Sequence, residues 1–488
     1  MKTTFSRFLS DYGMIFVLLL LCGFFSVVTI EDQWPTGEAA AKQVAGSITE
    51  QLGSTPRVLI AAGVQKGDAE FVASLERNLA ASGAQVLATA KGEAKDVREA
   101  LVKINDSGGR IDAIARSQSA GTWHIFSDLK AGFPAIGDPK VIEPRSYRWP
   151  NFLKADNLLN IANQIAVIAI IAIGMTLVII TGGIDLSVGS LLALSAVLAA
   201  RFIRDFAGGV DASSGGMLLA CAAAILLCGI IGGYSGAMIT GIGNLVVRVV
   251  MMIVSCGLVF LLTTWLDVSL LMRMLSCLAA VALVAMIREG IPPFIVTLAM
   301  MLVGSGLAYL LAEGQSIYQI PDSFKWLGHD ADLFSLPNAV VLMLILYALA
   351  HVLMSRMKLG RYLYAVGGNR EAARLSGVPV KGVLMFAYIA SALLAGLGGV
   401  IMASQLKSGS ATYGNMYELY VIAAVVVGGT SLSGGEGKML GTLIGAFTIA
   451  VIQNGMNLTN VESYTQKVVL GLVILGAVLL DNMRHARQ

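Results

Sequence analysis

Charge is scarce in this chain. Only 13% of its 488 residues are Asp, Glu, Lys or Arg, while 56% are hydrophobic; an ordinary soluble domain carries about 25% charged residues. That deficit excludes a soluble globular protein, because soluble chains split into domains before a single core grows this large. A bilayer is the natural solvent. Cysteine is also sparse. Cys22, Cys221, Cys228, Cys256 and Cys277 all lie in apolar runs and none has C-x-x-C spacing, so neither a disulfide framework nor a redox pair is written here. The four histidines, His124, His329, His351 and His485, are scattered, which leaves no metal cluster to read. The formal net charge is +3 without a basic tract, and nothing argues for nucleic acid.

The charge that is present is concentrated. Residues 31–158 hold 16 Asp/Glu and 15 Lys/Arg, leaving 15 acids and 19 bases for the other 360 residues. The pattern is a water-soluble segment inserted into a membrane protein. Residues 1–30 read as an uncleaved anchor: Lys2 and Arg7 precede an apolar run from Met14 to Ile30, with no small-x-small cleavage site directly after Val28. Positive charge stays in the cytoplasm, so residue 31 onward emerges outside, in the periplasm of a Gram-negative cell. Within 31–158, Arg57–Ala62, Ala84–Thr89 and Ile111–Ala115 read as strands, and Asp68–Ala81 and Ala94–Ile104 as helices. Strands alternating with helices predict a small parallel α/β unit.

From residue 159 to 482, apolar stretches recur with short polar breaks. Spans fall near 160–180, 187–203, 216–240, 245–264, 269–287, 294–312, 338–354, 383–403, 418–432, 438–457 and 466–482, twelve with 14–30. The fold class expected is an all-α polytopic membrane protein of about ten to twelve transmembrane helices, with the small periplasmic α/β insert and a short cytoplasmic tail at 483–488. Parity checks the topology. The 355–382 loop falls inside and carries Arg356, Lys358, Arg361, Arg370, Arg374 and Lys381 against Glu371; the 313–337 loop falls outside and holds Glu313, Asp322, Asp330 and Asp332 against Lys325. Arg484 and Arg487 place the C-terminus inside as well, as the positive-inside rule requires.

Three segments carry chemistry. In Thr181–Ser190 (TGGIDLSVGS), Gly182 and Gly183 break a long apolar run, and Asp185 and Ser187 can supply N-cap oxygens for a new half-helix. A broken helix and a carboxylate at membrane depth point to a path or gate; capping at the cytoplasmic interface is the equal alternative. In the basic loop, Asn369 is an N-cap and Gly377 a residue past a helix end. Between them Arg370, Glu371, Ala372, Ala373, Arg374 and Leu375 make about two turns. Such a helix is either a docking element or a solvated connector. In Glu418–Gly435 an apolar run ends in paired glycines. Leu432–Glu436 reads LSGGE, like the signature loop of ABC ATPases, but no phosphate loop accompanies it. Lys438 follows Gly437, yet Leu432 stands where the first glycine belongs and Met439 where Ser/Thr belongs. The chain is read as a non-enzyme that hydrolyses no ATP itself, with no catalytic residues, metal or cofactor of its own.

TGGIDLSVGS, IPPFIVTLAM (Ile291–Met300), AVGGNREAARLSGV and AAVVVGGTSLSGG occur in this order. Together they resemble the permeases of ribose/galactose-type ABC sugar importers, in the superfamily that includes branched-chain amino acid permeases. The likeness covers about 160–242 and 289–482. It implies an inner-membrane dimer of permeases in the lipid bilayer, partner ATPase subunits that bind the ATP, and a periplasmic sugar-binding protein. It also implies that Asn369–Leu375 and Gly377 form the coupling helix seated in the ATPase. Three features depart from the pattern: about 115 residues between the first span and the PNFL segment, two additional spans at 245–264 and 269–287, and Tyr420 where the family often has a second acid. For hydroxyl-rich cargo, Asp185, Ser187, Gln405, Glu418, Gln453, Asn454 and Asn457 are the expected path or gate residues. For the last three, helix–helix hydrogen bonding is the plain alternative. An ion-coupled carrier, a receptor using the insert as sensor, and a permease for a nucleoside or polyol are the rival functions. The insert loosely resembles part of one lobe of a periplasmic sugar-binding protein and is expected to dock rather than capture cargo, a tolerated insertion being the plain alternative.

Overall fold

The computed structural model describes residues 2–53, 55–241, 245–265, 269–286, 289–333 and 335–485. Residue 287, the expected end of the second additional span, and Arg487 of the tail lie outside the described residues, as do the side chains of Lys2, Arg7 and Arg484. The chain divides into two compact units, Met1–Thr29 with Phe152–Gln488, and Ile30–Asn151.

The chain opens on helix α1 (Lys2–Val28) and then enters the smaller unit. Its elements are β1 (Ile30–Gln33), α2 (Gly37–Leu52), β2 (Arg57–Ala62), α3 (Asp68–Ala81), β3 (Gln85–Lys91), α4 (Ala94–Asp106), β4 (Ala113–Arg116), α5 (Leu129–Gly132), β5 (Lys140–Ile142) and β6 (Tyr147–Pro150). Four strands form a parallel sheet in the order β3-β2-β4-β5, while β1 and β6 pair as an antiparallel ribbon. A parallel sheet must be covered on both faces, and β2 shows how. Val58, Ile60 and Ala62 join Val44, Ile48, Phe71 and Leu75 from α2 and α3. Leu59 and Ala61 point the other way and join Val97 and Leu101 from α4. Helix α2 is absent from the sequence reading because its buried side is largely Ala40, Ala41 and Ala45, which blunts the apolar period. At the start of β2, Asp112 accepts from the Arg57 backbone N–H at 2.8 Å and from its guanidinium at 3.0 Å twice. The Arg57 guanidinium holds that carboxyl below the usual carboxylate range.

The larger unit continues with α6 (Ala155–Ile180), α7 (Val188–Phe206), α8 (Ser214–Thr240), α9 (Leu245–Trp265), α10 (Leu270–Met286), α11 (Pro293–Leu311), α12 (Asn338–Arg356), α13 (Lys358–Gly368), α14 (Arg370–Leu375), α15 (Val380–Leu406), α16 (Tyr417–Val427), α17 (Met439–Leu458) and α18 (Ser463–His485). Among the described residues, α6, α8, α11, α12, α15 and α17 are long and apolar enough to cross a membrane, which makes the protein a polytopic helical membrane protein. Two other helices expected as spans fall short for visible reasons. Helix α7 ends in Arg201 and Arg204 paired with Asp205. Helix α16 has 11 residues and rises only about 16 Å, half of a ~30 Å hydrocarbon core.

Helix α6 is the core. Every residue from Ile165 to Ile180 is buried, as befits a helix apolar on all sides, and α12, α15, α16 and α17 pack against it. Helix α15 lies across α6, α7 and α8, while α9 and α10 pack on each other.

Candidate functional site

The site begins where α6 stops. Ile180 is its last residue, the Thr181 hydroxyl donates to the Val178 carbonyl at 2.7 Å, and the Gly182 N–H reaches the Ile179 carbonyl at 2.8 Å. Gly182 then takes φ +74°, a backbone region that glycine enters without a Cβ clash. The next turn is held by Asp185. This side chain is 2% exposed. One oxygen accepts from the Ser187 N–H at 3.0 Å and the Ser187 hydroxyl at 2.6 Å; the other accepts from the Ser391 hydroxyl on α15 at 2.8 Å. The Ile184 carbonyl accepts from Thr297 of α11 at 3.2 Å. Asp185 thus closes a local turn of the kind Asp favours and ties the break to a distant helix. Ser187, expected as an N-cap acceptor, instead donates its hydroxyl to Asp185. With a carboxylate two residues back, giving its proton satisfies both groups.

The three sequence motifs meet beside this break. The Gly435 N–H donates to the Ile180 carbonyl at 2.8 Å. Gly367 lies so close that a Cβ there would collide with the Ile180 carbonyl oxygen and stand 2.5 Å from Gly435 N. The Tyr364 hydroxyl donates to the Gly437 carbonyl at 2.7 Å, and Arg370 Nη2 donates to the Thr181 carbonyl at 3.2 Å. Backbone from 180–183, 367–370 and 434–437 therefore forms one junction.

Helix α14 hangs from that junction. Asn369 caps it, accepting from the Ala372 N–H at 3.0 Å. Its end is a Schellman motif: Gly377 has φ +82°, its N–H bonds the Arg374 carbonyl at 3.0 Å, and the Val378 N–H bonds the Ala373 carbonyl at 3.0 Å. Ala373 is buried, while Leu375 is 83% exposed. Glu371 and Arg374 pair at 2.8 Å on the exposed side. Arg370 and Arg374, one turn apart, have separate destinations: Arg370 reaches the break, Arg374 the surface.

The remaining expected residues divide. Gln405 and Gln453 line a cavity of about 240 Å³ with Gln164 and Tyr417, between α6, α15, α16 and α17. Gln405 also donates to the Asn163 carbonyl at 3.0 Å. Glu418 faces a second cavity of about 230 Å³ with Ser190, Thr412 and Asn415. Asn454 exchanges hydrogen bonds with Asn157 of α6 at 2.8 and 3.1 Å, and Asn457 accepts from Gln466 at 2.8 Å. Gln164, Ser391 and Tyr388, which stands against Gly183, are absent from the sequence reading. Each sits inside an apolar helix where no local pattern marks it; only the convergence of helices does.

Comparison with known proteins shows what the chain is similar to. The family model described as "Branched-chain amino acid transport system / permease component" matches residues 237–478. The chain is 38% identical over 340 residues to the ribose import permease protein RbsC of Escherichia coli, covering 69% of this chain and 88% of that protein. It is 38% identical over 338 residues to its Bacillus subtilis namesake, with 69% and 88% covered. It is 30% identical over 333 residues to the D-allose transport system permease protein AlsC of Escherichia coli, with 68% and 85% covered. No solved structure matches.

Proposed function

Since the chain belongs to the ribose/galactose-type branch of the ABC importer permeases, we propose that it carries a monosaccharide inward through alternating access driven by a separate ATPase. It is a multi-pass inner-membrane protein and the translocating subunit of a sugar importer. The finer assignments are these. The functional unit is a pair of permease copies with two ATPase subunits and a periplasmic binding protein. Both termini and α14 are cytoplasmic. The exposed face of α14, with Glu371, Arg374 and Leu375, seats in the ATPase. The observation that carries this reading is the continuity from α14 through Arg370 to the break at Thr181, a route by which motion at the ATPase moves helices α6 and α7.

Cargo contacts are assigned to the cavity of Gln164, Gln405 and Gln453. Carboxamides both donate and accept, which suits sugar hydroxyls in an otherwise apolar path. Glu418 and the second cavity serve as the outer approach. Asn454 and Asn457 stay with helix–helix support.

The test is D-ribose uptake into vesicles holding the chain, its ATPase and its binding protein. Uptake is expected to require ATP and to survive collapse of ion gradients; the reverse result would mean an ion-coupled carrier. The variant Arg374→Glu, on the exposed face of α14, is expected to reach the membrane at normal abundance, lose uptake at least about tenfold, and release the ATPase on purification. Reversing a charge at a docked surface juxtaposes like charges, which disfavours the complex by several kcal/mol. Normal uptake and co-purification would remove α14 from the coupling route.

The Ile30–Asn151 unit is one small body around a four-stranded parallel sheet, without a second lobe to close on a ligand, so we assign it to docking the binding protein. Deleting residues 36–144 is expected to leave membrane abundance intact and to weaken uptake most at limiting binding protein. Unchanged uptake at every concentration would mean a tolerated insertion, whose loop-closure entropy is small.

A further inference from the structure

Two buried hydroxyls lack a hydrogen-bond partner among the described residues, those of Tyr388 and Thr430. Each residue is 1% exposed, and both stand at the glycine junction. Tyr388 abuts Gly183, where any Cβ would overlap its hydroxyl; Thr430 abuts Gly437, beside Ile180. Folded proteins rarely leave such groups unpaired, and this bundle is able to pair a buried tyrosine: the Tyr347 hydroxyl donates to the Ala169 carbonyl at 2.9 Å.

Asp185 gives both oxygens to Ser187 and Ser391, and the Thr181 carbonyl takes Arg370. Tyr388 and Ser391 are three residues apart on α15, hence neighbours on one face. Asp185 draws one hydroxyl donor from this face, while a second, unpaired hydroxyl on it stands against Gly183, two residues before Asp185.

We propose that Tyr388 is a positioning residue for a second arrangement of the break, in which Asp185 exchanges the Ser391 hydroxyl for that of Tyr388, one turn along α15. Gly182 and Gly183 supply the backbone freedom for the shift, and Gly183 leaves room for the hydroxyl. Arg370 delivers the displacement, because it holds the Thr181 carbonyl at one end and α14 at the other. The two arrangements differ by one exchanged hydrogen bond, so the device is finely balanced and a modest push from α14 selects between them. This inference rests on the permease reading for its driver, since α14 must be the element that the ATPase moves.

The experiment uses the full-length chain in lipid nanodiscs and reads amide hydrogen exchange at Gly182 and Gly183. Their N–H groups bond the Ile179 and Val178 carbonyls here, and leaving this arrangement exposes them. Tyr388→Phe keeps the ring and removes the unpaired hydroxyl. It is expected to slow exchange at both amides about three- to tenfold, the worth of one net hydrogen bond, and to melt no lower than the parent protein. Tyr347→Phe, which loses a made bond, is expected to melt lower. Ser391→Ala is expected to speed exchange by a similar factor and carries the test should Tyr388→Phe fail to accumulate. Exchange in Tyr388→Phe at or above the parent rate, or no acceleration in Ser391→Ala, would overturn the proposal; a hydroxyl that merely binds water gives that result. ATP-driven D-ribose uptake is measured in parallel and is expected to fall in Tyr388→Phe by the same factor. Slowed exchange in a chain whose parent moves no monosaccharide with its ATPase would sink the permease reading while the two-state break stands.

Discussion

An alanine at position 367 is expected to keep the membrane unit from assembling. The methyl group would be driven into the Ile180 carbonyl oxygen and would stand 2.5 Å from Gly435 N, and those two atoms are themselves joined by a 2.8 Å hydrogen bond. Overpacking of a side chain against side chains costs about 1–3 kcal/mol. Here the obstacles are backbone atoms of two other segments, which cannot rotate away, and separating them breaks a bond whose acceptor residue, Ile180, is buried, at about 1–3 kcal/mol more. A destabilisation of about 3 kcal/mol or more follows. Gly368 is the control: a Cβ there meets nothing within 4 Å, so Gly368→Ala is expected within about 0.5 kcal/mol of the parent, as for an ordinary surface change. Membrane abundance and thermal melting of the two variants decide the matter. If Gly367→Ala accumulates and melts like Gly368→Ala, the three-segment junction is not held as described.

The contrast between neighbouring glycines shows where sequence reading stopped. Each Gly-Gly pair, 182–183, 367–368 and 434–435, is conspicuous in its own segment, and the first is readable as a helix break from the apolar run around it. That the three pairs meet is a statement about helix packing across as many as 250 residues, and no periodicity carries it. Local chemistry fared better. Asn369 and Gly377 bracket α14 because capping and a positive φ are short-range demands, and β2, α3 and α4 follow their own apolar patterns. Span counting was weaker. Hydropathy sees composition, so α16 reads like a span although its helix has 11 residues. Polar residues within α6, α15 and α17 were the hardest. Asn454 and Gln453 are adjacent and chemically alike, yet one is clasped by Asn157 and the other opens on a cavity, a difference set entirely by what the facing helix presents.

Asp185 separates stability from transport. Asp185→Ala removes the acceptor for three donors, the Ser187 N–H, the Ser187 hydroxyl and the Ser391 hydroxyl. The two hydroxyls can turn back to carbonyls of their own helices, but the buried N–H has no such recourse, so a loss of about 2–4 kcal/mol is expected, with reduced membrane abundance. Asp185→Asn behaves differently. Its carbonyl oxygen keeps both Ser187 bonds, and its amide can donate to Ser391, whose hydroxyl also accepts. Stability within about 1 kcal/mol of the parent is expected. What the amide lacks is charge, and with it the stronger hydrogen bond that an ionised acceptor makes, together with the second acceptor oxygen that meets α15. If Asp185 works as a moving acceptor between two helices, Asp185→Asn should reach normal abundance and melting temperature yet lose ATP-driven uptake by about tenfold, the effect of ~1.4 kcal/mol. Uptake at the parent rate in a normally folded Asp185→Asn protein would reduce Asp185 to a cap for α7 and nothing more.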